Sequence, residues 1–117
     1  MIRVLLRVFA ALATVGGVSQ AILAGRFLSG DVDRILDHRV GGIVTSVLLF
    51  AYTVVAVVAR IRRGPTWPLA IGAVLTAASA AQVHLGFIRN LGLHVPLGVV
   101  IVVGLVMLTH RTFRLAA

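Results

Sequence analysis

Four apolar runs, Val8 to Gly25, Val40 to Ala59, Leu69 to Ile88 and Val95 to Thr109, take up most of this 117-residue chain. A helix needs roughly 20 apolar residues to cross the hydrocarbon core of a bilayer, so the first three runs fit directly and the fourth needs its flanks or a smaller tilt. Valine and alanine dominate the runs. Valine favours strands in water, but a backbone in lipid must satisfy its own hydrogen bonds, and a helix does so segment by segment. The reading is an all-α integral membrane four-helix bundle, one domain over residues 1–117, with spans of about 5–27, 36–60, 66–89 and 94–111.

Composition closes the alternatives. The chain is 60% apolar and 12% charged, with a mean hydropathy of +1.09, where a soluble domain averages about 25% charged residues. That excludes a soluble enzyme fold, a disordered tail and a coiled coil. The net charge of +8 comes from 11 arginines against 3 aspartates, but the apolar runs leave no continuous basic face to follow phosphates, so nucleic acid is not an expected partner. The absence of cysteine removes thioether-linked heme, iron–sulfur ligation and disulfides, so any cofactor must be held by histidine or another N/O ligand.

Chain breakers fall between the runs: Ser29 and Gly30, Gly64 and Pro65, Asn90 and Gly92. Pro68 and Pro96 are expected in first helical turns, where a missing N–H costs nothing. Arginine placement sets orientation, because loops rich in positive charge stay cytoplasmic. Arg3, Arg7, Arg60, Arg62, Arg63, Arg111 and Arg114 fall on one side with no acid. Arg26, Arg34, Arg39 and Arg89 share the other side with Asp31, Asp33 and Asp37. The expected topology is up-down-up-down with both termini cytoplasmic, in a bacterial inner membrane. A rival reading makes the first run a cleaved signal peptide ending near Ser19-Gln20-Ala21. The run continues past that point to Gly25, and its removal would leave one helix unpaired.

The two hairpins carry a weak repeat. Gln20, Gly25 and Phe27 precede His38-x-x-x-Gly42, and Gln82, Gly86 and Phe87 precede His94-x-x-x-Gly98. Parallel repeats of two helices are related by an axis along the membrane normal. His38 and His94 then lie at one depth near the outer surface, on helices whose axes are roughly 13 Å apart across the diagonal, given neighbours at about 9 Å. That leaves room for a flat macrocycle gripped from both sides, with Gly42 and Gly98 removing bulk one turn further in. Histidines near the headgroups and glycines in packed membrane helices are also commonplace. The pairing of two such units is what points to heme.

His84 is the alternative ligand, one to two turns inside the third run, whereas His110 reads as interfacial. Gln20 and Gln82 are costly in apolar spans and need partners: each other, a backbone carbonyl or a cofactor edge. Arg39 and Arg89 are the best placed of the outer arginines to meet heme propionates, lipid phosphate being the plainer partner.

These residues resemble one half of a heme A synthase, whose four-helix halves carry a histidine on the second and fourth helices. The resemblance runs from Gln20 to the end of the chain, on His38-Arg39, Leu93-His94, and Gln82 with Gly86. It implies His38 and His94 as axial ligands of a heme b. The hydroxylating half of that family has a glutamate three residues before the first histidine, where this chain has Ile35, and Asp37 points about 100° away from His38 on a helix. The departure disfavours heme oxidation and favours a bound b-type heme. The chain is also similar to an uncharacterised family of small four-helix membrane proteins from high-GC bacteria.

The leading expectation is therefore a small membrane b-type heme protein with bis-histidine ligation and one-electron transfer. Its partners would be the lipid bilayer, a quinone or a membrane redox protein, and a second copy of the chain. A heme-free accessory subunit is the second reading, resting on Gly16, Gly17, Gly72 and Gly104 as close-packing positions. A dimeric transporter is disfavoured because no carboxylate lies inside a span. Hydrolysis is disfavoured because Ser19, Ser46 and Ser79 lack a His–acid arrangement at their depth.

Overall fold

The computed structural model describes residues 1–115 and is all-helical. Helix α1 spans Ile2–Leu28, α2 Arg34–Ile61, α3 Trp67–Phe87 and α4 Leu91–Phe113. All four are long and apolar enough to cross a membrane, and the bundle measures 48 × 20 × 19 Å. Large apolar side chains such as Val15, Val47, Phe50, Val74 and Met107 are exposed on the outside. Such a surface suits a lipid solvent, and the chain is a multi-pass membrane protein.

Each helix packs on the two next to it around the bundle, and the backbones of the diagonal pairs α1/α3 and α2/α4 stay apart, with long side chains such as Tyr52 reaching across to Thr112. Residue numbers run in opposite directions along the neighbouring pairs. Gln20 meets His38 where Gly41 lies against the same glutamine and Gly16 faces Thr45. Thr14 meets Thr109, and Arg7 reaches the carbonyls of Phe113 and Leu115. Gly16, Gly17, Gly72 and Gly104 all face side chains of this same chain, Thr45, Leu105, Tyr52 and Leu75 respectively. Their small size serves the bundle itself.

Turn chemistry explains three of the helix ends. After α1, α2 and α3 the chain closes with paired 6→1 and 5→2 hydrogen bonds, as in Asp31 N–H to Arg26 O with Gly30 N–H to Phe27 O. The residue at the turn must be left-handed. Glycine takes that place after α1 (Gly30, φ 102°), but arginine takes it after α2 and α3 (Arg63, φ 61°; Arg89, φ 58°). Helix α4 starts at Leu91 because the Asn90 side chain accepts from the Leu93 N–H at 3.3 Å. This early start corrects the expectation for Pro96, which lies inside α4 past the first turn; Pro68 does sit in the first turn of α3.

Packing is uneven along the bundle. The buried core of Leu6, Ala10, Ala13, Leu49, Tyr52, Ala56, Leu75, Leu105 and Leu108 belongs to the half that contains the α2–α3 connection. Side-chain hydrogen bonds that tie one hairpin to the other lie in that half or at its border: Thr53–Thr76, Tyr52–Thr112, Thr14–Thr109 and Ser46–Ser79. The Ser46 hydroxyl also lies 2.9 Å from the Gly42 carbonyl, to which it donates, so Ser79 donates to Ser46 at 2.6 Å. A double-mutant cycle of Ser46→Ala and Ser79→Ala is expected to show a coupling of about 0.6 kcal/mol, the usual size for hydroxyl pairs between membrane helices. Reversible unfolding in mixed detergent measures it, and additive single effects would show that the pair does not clamp the hairpins.

Candidate functional site

The other half of the bundle is hollow. A cavity of about 480 Å³ opens there between the two hairpins and takes its walls from all four helices. Helix α1 contributes Gln20 and Phe27, α2 His38 and Gly42, α3 Gln82 and Phe87, and α4 His94 and Gly98. Arg39 and Arg89 line it too, so all eight cofactor-binding positions read from the sequence border one space. Its volume is that of a typical cofactor or small-ligand site.

His38 and His94 stand on the diagonal helices α2 and α4, one turn in from each N-terminus. Their rings meet across the gap with centroids 6.0 Å apart and planes crossed at 72°. In both rings Nδ1 faces a backbone carbonyl, Gln20 O at 3.2 Å and Gln82 O at 2.9 Å. A carbonyl only accepts, so Nδ1–H donates, and the neutral ring carries its lone pair on Nε2. Neither Nε2 has a hydrogen-bond partner among the described residues. The repeat seen in the sequence thus makes the same contact twice, glutamine carbonyl to histidine, once in each hairpin.

The glutamine side chains are the second paired feature. Gln20 Oε1 and Gln82 Oε1 are buried without a partner, and a primary amide can turn to present either its donor or its acceptor. Glycines make room for both amides. Gly41 packs on the Gln20 amide, and a Cβ at Gly98 would stand 2.8 Å from Gln82 Nε2. A Cβ at Gly42 would meet Gln20 Oε1 only at ordinary contact distance, 3.7 Å. The expectation that Gly42 and Gly98 clear space beside the histidines is therefore corrected in part. Both border the cavity, but Gly98 first accommodates a glutamine, because Gln82 is one helix away at the same depth.

Ion pairing divides the four arginines at this end. Arg26 pairs with Asp31 at 2.7 Å, and Arg34 with Asp31 at 3.3 Å and Asp37 at 2.6 Å. Arg39 and Arg89 have no acidic partner among the described residues. None of the three aspartates lines the cavity, and Ile35 does.

His84 is exposed and outside the cavity wall, which corrects its place as the alternative ligand. Two residues beyond Gln82 on a helix is a rotation of about 200°, which turns it to the outer face. Thr45, Ser79, Ile101 and Val102 form the cavity floor. Of these, Ser79 enters the sequence reading only as a rejected hydrolytic group; Thr45 follows His38, and Ile101 and Val102 follow His94, by roughly two turns, a spacing that puts them on the histidine's face of the helix.

Among the described residues no three metal-ligating side chains gather anywhere. The two imidazoles alone suit a metal that brings its own equatorial ligands. No family model, curated protein or solved structure matches the chain, so a functional reading rests on the chemistry of this cavity.

Proposed function

We propose that the protein is a small membrane b-type heme protein, in which His38 and His94 are the two axial ligands of one non-covalently held heme, and that it transfers single electrons. The observation that carries this reading is the ring separation. A metal–imidazole bond is about 2.0 Å and the ring centre lies about 1.1 Å behind the ligating nitrogen, so two imidazoles on one ion stand about 6 Å apart, centre to centre. The rings here are 6.0 Å apart, with both Nδ1 atoms already engaged as second-shell hydrogen bonds require.

The rest of the cavity fits the group. Phe27, Phe87, Ile35 and Val95 offer apolar walls. The unpaired Gln20 and Gln82 amides supply polar groups that an occupant's edge can satisfy. Arg39 and Arg89, free of protein carboxylates, offer planar donors to propionates. A bound heme b would supply one-electron redox chemistry. The protein's residues hold the two rings in the ligating tautomer, keep water from the apolar walls and compensate anionic charge at the rim. With Ile35 on the cavity wall, no carboxylate stands where the hydroxylating heme A synthase half has one.

In this reading the helices run up-down-up-down with both termini cytoplasmic. The arginine count supports this orientation, with the cavity on the outer side of a bacterial inner membrane. A quinone or a membrane redox protein is the electron partner, and a second copy of the chain can pack on the exposed apolar faces.

The test is the absorption spectrum of detergent-purified protein made with heme supplied, oxidised and then reduced with dithionite. A Soret band with a sharp reduced α band is expected. The crossed ring planes also predict a ferric low-spin electron paramagnetic resonance spectrum dominated by one strongly shifted low-field feature, because perpendicular imidazoles leave two iron d orbitals close in energy. A colourless protein that takes up no added hemin would overturn the proposal.

A further inference from the structure

The opposite end of the bundle holds a second, smaller cavity of about 280 Å³, lined by Trp67, His110, Arg111, Arg114 and Leu115. It lies between the start of α3 and the end of α4. The Arg111 guanidinium sits over the Trp67 ring, 5.1 Å from its centroid, which restricts a long side chain that would otherwise sweep through solvent. Three basic side chains thus converge on one space beside a flat apolar ring.

No acidic side chain among the described residues pairs with them: Asp31, Asp33 and Asp37 lie at the far end, on or beside the α1–α2 connection. The negative end of the α4 dipole is already covered, because Arg7 donates to the Phe113 and Leu115 carbonyls at 3.3 and 3.0 Å. Among the described residues Arg111 and Arg114 have no carboxylate partner. An aromatic wall, an oriented guanidinium and further basic groups at the level where helices leave the membrane match the headgroup of an anionic phospholipid.

We propose that this cavity binds a phosphate group, as carried by an anionic phospholipid headgroup. The site is independent of the heme assignment, since it shares no residue with the other cavity.

Trp67 is the single tryptophan of the chain, so its fluorescence reports on the site directly. Delipidated full-length protein in neutral detergent is titrated with phosphatidylglycerol, with phosphatidylcholine and with inorganic phosphate. A saturable emission change is expected with phosphatidylglycerol at concentrations where phosphatidylcholine gives none. Saturation by inorganic phosphate at the same concentration would keep the anion site but assign it to free phosphate. Each arginine near a headgroup contributes about fivefold in affinity, so Arg111→Gln with Arg114→Gln is expected to weaken binding about 25-fold. Arg60→Gln with Arg62→Gln removes equal charge from the same end outside the cavity and is expected to change binding less than twofold. Equal weakening by the two pairs, an unchanged affinity in the Arg111/Arg114 variant, or no response to either anion would overturn the proposal.

Discussion

Alanine in place of His38 or of His94 is expected to abolish the sharp reduced α band, each substitution alone doing so. Each ring supplies one of only two ligands in the cavity, and no spare histidine lines its wall. His84→Ala is expected to leave the spectrum unchanged, because that ring is exposed on the outer face. Loss of one imidazole opens one axial position, so carbon monoxide is expected to bind the reduced His variants but not the parent protein. Millimolar imidazole is expected to restore the α band, filling the space that the missing ring leaves. Either variant keeping a full-strength α band would show that the ligands lie elsewhere.

The second large effect is expected at a glycine that carries no chemistry of its own. A Cβ built on Gly86 lies 3.0 Å from His94 Cε1 and 3.3 Å from its Nδ1. The ring cannot bend away as a flexible chain tip would, and the edge that the Cβ would crowd is the one held by the Gln82 carbonyl. Gly86→Val should therefore push His94 off that carbonyl and lower heme affinity by about 10–100-fold, the range seen when a second-shell partner of a metal ligand is lost. Gly25→Val is the matched control, since a Cβ there meets nothing within 4 Å. It is expected to bind heme as the parent does. Both affinities come from hemin titration followed at the Soret band, and similar values for the two variants would sink the argument.

The helices were legible because lipid allows a backbone few choices, so four apolar runs translate directly into four helices. Their ends were less so. Arg63 and Arg89 occupy left-handed positions where glycine is the usual signal, and the Asn90 cap starts α4 four residues before its apolar run. At the site, the pairing of His38 with His94 could be read from the repeat and the diagonal geometry. The anchors of the rings could not. They are the main-chain carbonyls of Gln20 and Gln82, and a backbone group leaves no trace in residue identity. The role of Gly41 was hidden for a related reason. His38-x-x-x-Gly42 and His94-x-x-x-Gly98 are in register as text, but Gly41 is the residue that receives the Gln20 amide in the first hairpin, where Gly98 receives Gln82 in the second. The two halves are thus one residue out of step, and only the relative rotation of the helices shows it.

The division of the bundle into a filled half and an empty one bears on biogenesis. Segments with few buried contacts open at low free-energy cost, whereas well-packed segments open only with the whole molecule. The layer around Leu49, Tyr52 and Leu105, all fully buried, can therefore form as soon as the chain is inserted, and it sets the register of the hairpins before any cofactor arrives. The layer around His38 and His94 borders the cavity, and in the proposed reading its occupant and the protein stabilise one another by mass action. Under the proposed function, maturation is expected to follow a fixed order, scaffold first and prosthetic group last, with no demand that the chain unfold to receive its cargo.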